Sequence, residues 1–558
     1  MHKYLFLFLV FSNGLIHAQK LRKEDKQLVA NLQQHVTYLA SDKLEGRRTG
    51  TQGEKLASEY ISEQFRLAGL QPKGSNGYFQ PFEINEGRQI NPSTHLMIDG
   101  KILSLHKDFF PLSFSANTSL EALPSIALQE SKMPWFINLK ELLEQNFANP
   151  HFDVTDAVKK KAMEMESKGA SAVFIYNTSE LEDKLVFNGK EHVQLLNIPV
   201  VYITKEAARK YFGDETATLD IKLKTDIEPR TRTGRNVIGY IDNRAPTTVV
   251  IGAHYDHLGY GEEGNSMLRN SPLQIHNGAD DNASGTAALI ELARLLKNSK
   301  EFSGANLKQN NYLFIAFSGE ELGLYGSKYF TEHPPVDLAS VNYMINMDMI
   351  GRINDSSRMV IIGGYGTSPS WGNFYALKGK DKLYTGNLQF KYDSSGTGPS
   401  DHTSFYRKDI PVLFFFSGLH SDYHKPTDDY DKINYLGEMQ IIKHIYSLIE
   451  AQDKQKNRLA FTKTRETQTT TSARFSVSLG ITPDYTFSGA GVRVDGVSEN
   501  RPAQKAGLKT GDVITALGDY SVSSVESYMQ ALSKFKKGDK TVVHYNRTNE
   551  KLSAAIEF

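Results

Sequence analysis

Five short segments of this 558-residue chain carry side chains capable of metal chemistry. They are GAHYDHLG (252–259), GADDNASG (278–285), FSGEELGLYGS (317–327), NMDMIG (346–351) and SDYHKPTDDYDKI (421–433). Each is weak alone. An isolated HxD is an ordinary surface or core pair, and paired glutamates at a helix start complement the helix dipole. Together they supply His254, Asp281, Glu321, Asp348 and His424, with a spare carboxylate at Glu320. The chain has no cysteine, which excludes disulfides, thiol nucleophiles, thiolate metal sites and a lipidated cysteine. Any bound metal must therefore take histidine and carboxylate ligands.

Each segment sits at or just after the C-terminal end of an expected strand, where open α/β sheets place their ligands. The strands VVIGAH (249–254), YLFIAF (312–317), NYMINMD (342–348) and VLFFF (412–416) are continuously apolar, as a sheet covered on both faces requires. Helices are expected between them, notably over 286–297 and 322–330, and a last amphipathic helix over 436–451. Upstream, residues 27–70 read as two helices joined by the polar loop LASDKLEGRRTGTQGE, and residues 91–115 read as strands. Residues 116–232 carry their own small α/β pattern, with a helix at 161–168 and buried strands AVFIY (172–176) and IPVVYI (198–203). The polar, Thr-rich stretch 452–474 reads as a linker, and 475–558 returns to short strands, glycine turns and a helix near 525–535.

At this length three or four domains are expected. Hydrophobic residues at 39% and charged residues at 23% exclude a disordered or fibrous chain. Lys+Arg and Asp+Glu are both 64, and a nucleic-acid binder would show a basic excess. Residues 1–18, MHKYLFLFLVFSNGLIHA, have the form of a secretory signal peptide, and no later stretch is long and apolar enough to span a membrane. The expectation is an exported protein, periplasmic or secreted, with no transmembrane anchor and no nucleic-acid partner.

The five segments and the leader LASDKLEGRRTGTQGE resemble, in order and wording, the co-catalytic di-zinc exopeptidases that include bacterial leucyl-type aminopeptidases and glutamate carboxypeptidase. The resemblance covers about residues 27–115 and 235–450. It implies a mixed-sheet α/β zinc-exopeptidase core with helices on both faces. It also implies two Zn2+ per chain: His254 and Asp348 on one, Glu321 and His424 on the other, and Asp281 bridging both. Glu320 would be the general base toward a zinc-activated water, and Asp256 would orient the His254 imidazole. Tyr423 matches a hydroxyl that steadies the tetrahedral oxyanion, and reads equally as core packing. Asp401 and His402 match a segment lining the family's pocket, without an assigned role. His257, His276 and His420 read as ordinary loop histidines. The family further implies a cis peptide bond at Asp281–Asn282. The donor types make physical sense: two nearby divalent ions need one shared carboxylate and a mixed nitrogen and oxygen shell.

Residues 116–232 resemble a protease-associated insertion, on the phrases KGASAVFIYN and IPVVYITKEAARKYF. Such a domain lies over the active-site mouth and restricts substrate size, or serves as a structural insertion without substrate contact. Residues 475–558 resemble a PDZ domain, on SVSLGI and VSENRPAQKAGLKTGDVITALGDYSV; that implies a C-terminal peptide ligand added as a strand. The expected organisation is a signal peptide (1–18), a zinc peptidase (19–115 and 233–451), the insertion (116–232), a linker (452–474) and the PDZ-like domain (475–558). The expected activity is that of an aminopeptidase acting on peptides with a free N-terminus. Alternatives on the same fold are a carboxypeptidase, a glutaminyl-cyclase-like enzyme or a metal-free binding ectodomain. The complete ligand set argues against the last, and GADDNASG and SGEEL favour hydrolases over cyclases.

Overall fold

The computed structural model describes residues 21–147, 152–189, 195–214, 216–263, 265–268, 272–464, 477–483, 487, 489–497, 501–523, 525–532, 534–548 and 550–558. The signal-like segment 1–18 and residues 465–474 of the expected linker lie outside these. The chain divides into two compact units, Met1–Gln80 with Arg235–Thr469, and Pro81–Gly234 with Thr470–Phe558.

The first unit is built on a nine-stranded mixed sheet. Its elements, in chain order, are α1 (Lys23–Leu39), α2 (Gln52–Leu67), β1 (Gln71–Pro72), β2 (Phe79–Ile90), β3 (Ile227–Ile241), β4 (Thr247–His254), α3 (Gly285–Lys297), β5 (Asn310–Phe317), α4 (Tyr325–Glu332), β6 (Val341–Met347), β7 (Met359–Gly363), β8 (Gln389–Tyr392), β9 (Val412–Phe416) and α5 (Tyr435–Gln455). The strand order is β1-β3-β5-β4-β6-β9-β7-β8, with β2 paired to β3. The four central strands β5, β4, β6 and β9 run parallel, so their C-terminal ends share one rim. β5 and β6 are buried at every position, which is why their sequences are continuous apolar runs rather than alternating ones. α1, α2, α3 and α5 contribute Leu32, Phe65, Leu289 and Ile445 to a core with β4, β5 and β6. A second cluster (Ile238, Phe317, Phe330, Met344, Phe405) completes the burial.

The expected central strands and helices are present; VLFFF (412–416) has the expected bounds and the others are longer or shifted by a few residues. β7 and β8 were not expected. Both are short: β7 (MVIIG) carries a brief apolar run that sequence reasoning missed, and β8 (QFKY) is mostly exposed. Part of the expected linker is also ordered. α5 continues to Gln455, and beyond it Leu459 is buried in the core while its N–H donates to Asn342 Oδ1 (2.9 Å). The Thr462 N–H donates to the Thr367 carbonyl (2.8 Å), and Thr464 Oγ1 accepts from the Gly396 N–H (3.0 Å). A polar composition hid a segment held mainly through its backbone.

In the second unit, the hairpin 95–103 pairs through 95–98 with 221–225, which pairs on its other side with 118–122, in a four-stranded sheet of their own. Strands at 91–115 therefore fall outside the compact unit that ends at Gln80, earlier than the expected boundary at 115. A further sheet joins Phe109–Pro111, Val200–Ile203, Ala172–Tyr176 and Pro134–Asn138 beside the helix Val154–Ser167. At the C-terminus, a six-stranded sheet encloses Leu479, Ile514, Leu517 and Val543 with the helix Val525–Leu532. Asp512 accepts two hydrogen bonds from Arg547 (both 2.7 Å), fixing the Gly511 turn.

Candidate metal centre

His254 ends β4, Glu320 and Glu321 follow β5, Asp348 follows β6, and His424 lies in the loop after β9. Asp281 comes from the segment between β4 and α3. Parallel pairing of these strands brings all six groups to the same rim, as their placement in the sequence requires.

The distances are specific. His254 Nε2 lies 3.4 Å from Asp281 Oδ1 and 3.2 Å from Asp348 Oδ1. His424 Nε2 lies 3.3 Å from Asp281 Oδ2 and 3.3 Å from Glu321 Oε2. Ligands of a tetrahedral ion with bonds of 2.0–2.1 Å stand about 3.3 Å apart, a spacing that these four separations match. Asp281 turns one oxygen to each histidine, which is the arrangement of a carboxylate shared by two ions. Among the described residues, the sets His254/Asp281/Asp348 and His257/Asp281/Glu321 each bring three donor atoms close enough for one cation. The donor set fits two divalent ions.

The backbone around Asp281 is tightly held. The Asp281–Asn282 bond is cis, as the family resemblance implies. Asp428 accepts from the N–H groups of Asp280 (2.9 Å) and Asp281 (3.1 Å). Asn282 donates to the Met347 carbonyl (3.0 Å) and accepts from Met349 N–H (3.1 Å), tying the segment to the end of β6.

The paired glutamates behave oppositely. Burial, reinforced by Asp348, Glu321 and Asp401, holds the Glu320 carboxyl well above its ordinary range despite the pull of His254. Burial also pushes Glu321 upward, but the His424 charge and hydrogen bonds from His257 and His424 reverse this, leaving it well below. Burial alone would lower His254, yet Asp348 and Glu320 raise it well above its usual value. Glu320 Oε2 lies 4.0 Å from His254 Nε2, on the edge of the cluster rather than inside it.

Asp256 contacts His254 Nδ1 through its backbone carbonyl (3.2 Å), with the carboxylate at 3.7 Å. That carboxylate accepts from Thr49 Oγ1 (2.9 Å) and from the Glu320 N–H (3.2 Å), so it links three loops of the rim. Tyr423 stacks on His424 at 3.9 Å between ring centroids; burial and the Asp281, Glu321, Glu320 and Asp348 charges raise its hydroxyl well above the usual value. Asp401 is fully buried, and burial raises it to about 7. His402 stacks on Phe414 (4.5 Å) and is lowered to about 3 by burial, a neutral packing group. The His276 ring contacts Ser266 Oγ and the Gln274 carbonyl while its N–H donates to the Gly259 carbonyl (2.8 Å), and His420 Nε2 lies 3.2 Å from Asp280 Oδ2.

His257 differs from its reading as an ordinary loop histidine. It is buried, with Nδ1 2.8 Å from Glu321 Oε1. Its position one residue after Asp256 was the available signal, and a contact across 64 residues is not readable from spacing. Arg47 was also missed. This buried guanidinium donates to the carbonyls of Tyr255 (2.7 Å), Asn277 (2.7 Å), Gly278 (3.0 Å) and Leu39. It thus joins the end of α1 to the loops carrying His254 and Asp281. The phrase LEGRRTG was its only signal. Glu54 stands at the capping-box position of α2, three residues after Thr51. Its carboxylate instead accepts from the Tyr255 hydroxyl (2.7 Å), Ser318 Oγ (3.0 Å) and the Arg235 N–H (3.1 Å).

A histidine and carboxylate cluster on the C-terminal rim of a parallel-centred sheet defines a candidate divalent-metal centre. Residues 236–449 match Peptidase family M28, and residues 461–558 match the PDZ domain. Aminopeptidase YwaD of Bacillus subtilis is 28% identical over 287 residues, 49% of this chain and 55% of that protein. An aminopeptidase of Pseudomonas aeruginosa is 27% identical over 285 residues, 47% of this chain and 45% of that protein. The match thus spans about half the length of these curated relatives. A solved zinc aminopeptidase from Bacillus subtilis aligns over 75% of this chain and 94% of its own, at 23% identity and a TM-score of 0.40.

Proposed function

We propose that this chain is an exported metallo-aminopeptidase that removes N-terminal residues from peptides at a two-zinc centre. The observation that carries the reading is Asp281, whose two oxygens face His254 and His424 at distances that match a tetrahedral edge. His254 and Asp348 would hold one ion, His424 and Glu321 the other. The names of the matched relatives favour an aminopeptidase over the other activities of the fold.

Zinc bound there would polarise the scissile carbonyl and acidify a water molecule. Glu320 takes the water's proton on its carboxylate and delivers it to the leaving amine. Glu320 stands at the edge of the cluster, 4.0 Å from His254 Nε2, where it can reach a water held at the centre, whereas Glu321 lies 3.3 Å from His424 Nε2 within the ligand set. Asp256 holds the His254 ring and the Glu320 backbone in register. The Tyr423 hydroxyl, kept protonated, donates to the oxyanion that develops on the substrate carbonyl. The PDZ domain takes an extended C-terminal peptide as an added strand, with its carboxylate at the SLGI backbone (478–481). Residues 1–18 direct export to the periplasm or medium.

The test is hydrolysis of leucine p-nitroanilide against its N-acetyl derivative, before and after chelation. The reading requires turnover of the free amine only, lost with chelator and restored by zinc. Equal turnover of both substrates, or cleavage from the C-terminus alone, would replace it with another activity of the fold.

A further inference from the structure

His257 is near enough to Asp281 and Glu321 to share a cation with them, but its contact with Glu321 is shorter than the others in the cluster. Four nitrogen–oxygen pairs around Asp281 stand 3.2–3.4 Å apart, which matches ligand-to-ligand spacing on an ion. The His257 Nδ1–Glu321 Oε1 pair stands at 2.8 Å, which is hydrogen-bond length, and Nδ1 is 4.0 Å from Asp281 Oδ1. Glu321 therefore divides its oxygens, Oε1 to His257 and Oε2 to His424. Because an ionised carboxylate only accepts, Nδ1 is the donor to Glu321, and among the described residues Nε2 is buried without a hydrogen-bond partner.

The ring is fixed from several sides. The His257 N–H donates to the Arg47 carbonyl (3.3 Å), and the ring meets His424 edge to face at 5.9 Å. Gly278, with φ of 55°, borders it: a Cβ there would fall 2.5 Å from His257 Cδ2. The imidazole is wedged between the loop that leads into Asp281 and the Glu321 carboxylate.

We propose that His257 is a positioning residue for one of the two metal sites only. It holds Glu321 so that Oε2 alone faces the ion shared with His424, and leaves the His254/Asp348 site untouched. The inference rests on the two-metal reading above and adds an asymmetry to it. Partners of this kind, behind a metal ligand, contribute roughly 10- to 100-fold in affinity.

The experiment is competition of the full chain, wild type and variant, against a chromogenic chelator with zinc, reading two dissociation constants rather than turnover. His257→Phe should weaken one constant by roughly 10- to 100-fold and leave the other unchanged. His257→Asn should sit close to wild type, since its amide nitrogen stands near the place of Nδ1. His257→Gln, whose nitrogen reaches toward the place of Nε2, should resemble His257→Phe. The Asn and Gln pair decides the matter even if the Phe variant fails to fold. Equal weakening of both constants, or Asn and Gln variants that behave alike, would overturn the positioning role. Fewer than two zinc ions on the wild type would instead overturn the two-metal reading itself.

Discussion

Replacing Arg47 by methionine tests whether one buried guanidinium holds the rim together. Methionine has comparable length and no donor, so four carbonyls (Leu39, Tyr255, Asn277, Gly278) lose a partner. Each buried acceptor left without a bond costs roughly 1–3 kcal/mol, a gross loss of about 4–12 kcal/mol. The variant no longer buries a cation, which returns several kcal/mol. A net loss of about 3–5 kcal/mol follows, the range seen when one partner of a buried charged network is removed. At roughly 2 °C per kcal/mol for a unit of this size, Tm should fall by about 6–10 °C. Arg47→Lys keeps the charge but not the fork, and should lie between the two. Because Tyr255 follows His254 and Gly278 leads into Asp281, zinc affinity should weaken in the same order. Calorimetry of metal-free and zinc-loaded protein reads both effects. A methionine variant that melts within about 1 °C of wild type and binds zinc as tightly would refute the argument.

Three further outcomes follow from the same geometry. Glu320→Gln should keep its zinc and lower kcat by roughly 10²–10⁴-fold, whereas Glu321→Gln should lose zinc first and regain activity in excess metal; the reverse pattern in metal analysis would exchange their roles. Truncation after Thr469 should preserve turnover of a small substrate, while truncation after Gln455 should destabilise the peptidase unit by removing buried Leu459 and the bonds of 457–464, at about 1.5–3 kcal/mol for the leucine alone. Glu54 is raised from 4.5 to about 7, chiefly by burial, so its protonated form is the one favoured in the fold. That stability is complete below pH 4.5 and is lost as pH rises toward 7, by up to roughly 1.4 kcal/mol per pH unit. Glu54→Gln should flatten the Tm profile across this window, and an unchanged slope would assign it to other groups.

What the sequence made legible follows the strength of its local signals. The central strands declared themselves because burial on both faces forces uninterrupted apolar runs, and the site groups because each follows such a run. β8 was hidden because a short, mostly exposed edge strand needs neither a continuous nor an alternating pattern, whereas the MVIIG of β7 was a legible apolar run that went unread. Residues 457–464 were hidden because their attachment is largely backbone hydrogen bonding, which leaves little mark on composition. Arg47, His257 and Asp428 share another cause. Each acts on a group far away in the chain, and an arginine among glycines, a histidine beside an aspartate or one aspartate of a pair looks the same whether solvated or buried. Glu54 was open to misreading in a different way: the spacing from Thr51 is that of a helix cap, and only tertiary packing sends the carboxylate to Tyr255 and Ser318.

The central claim is that Asp281 bridges two ions. Crystals of zinc-loaded protein, measured above and below the zinc absorption edge, test it most directly. The account predicts two anomalous peaks about 3.5–4 Å apart. One should lie among His254, Asp348 and Asp281, the other among His424, Glu321 and Asp281. A single peak, or two peaks of which one does not touch Asp281, would contradict it.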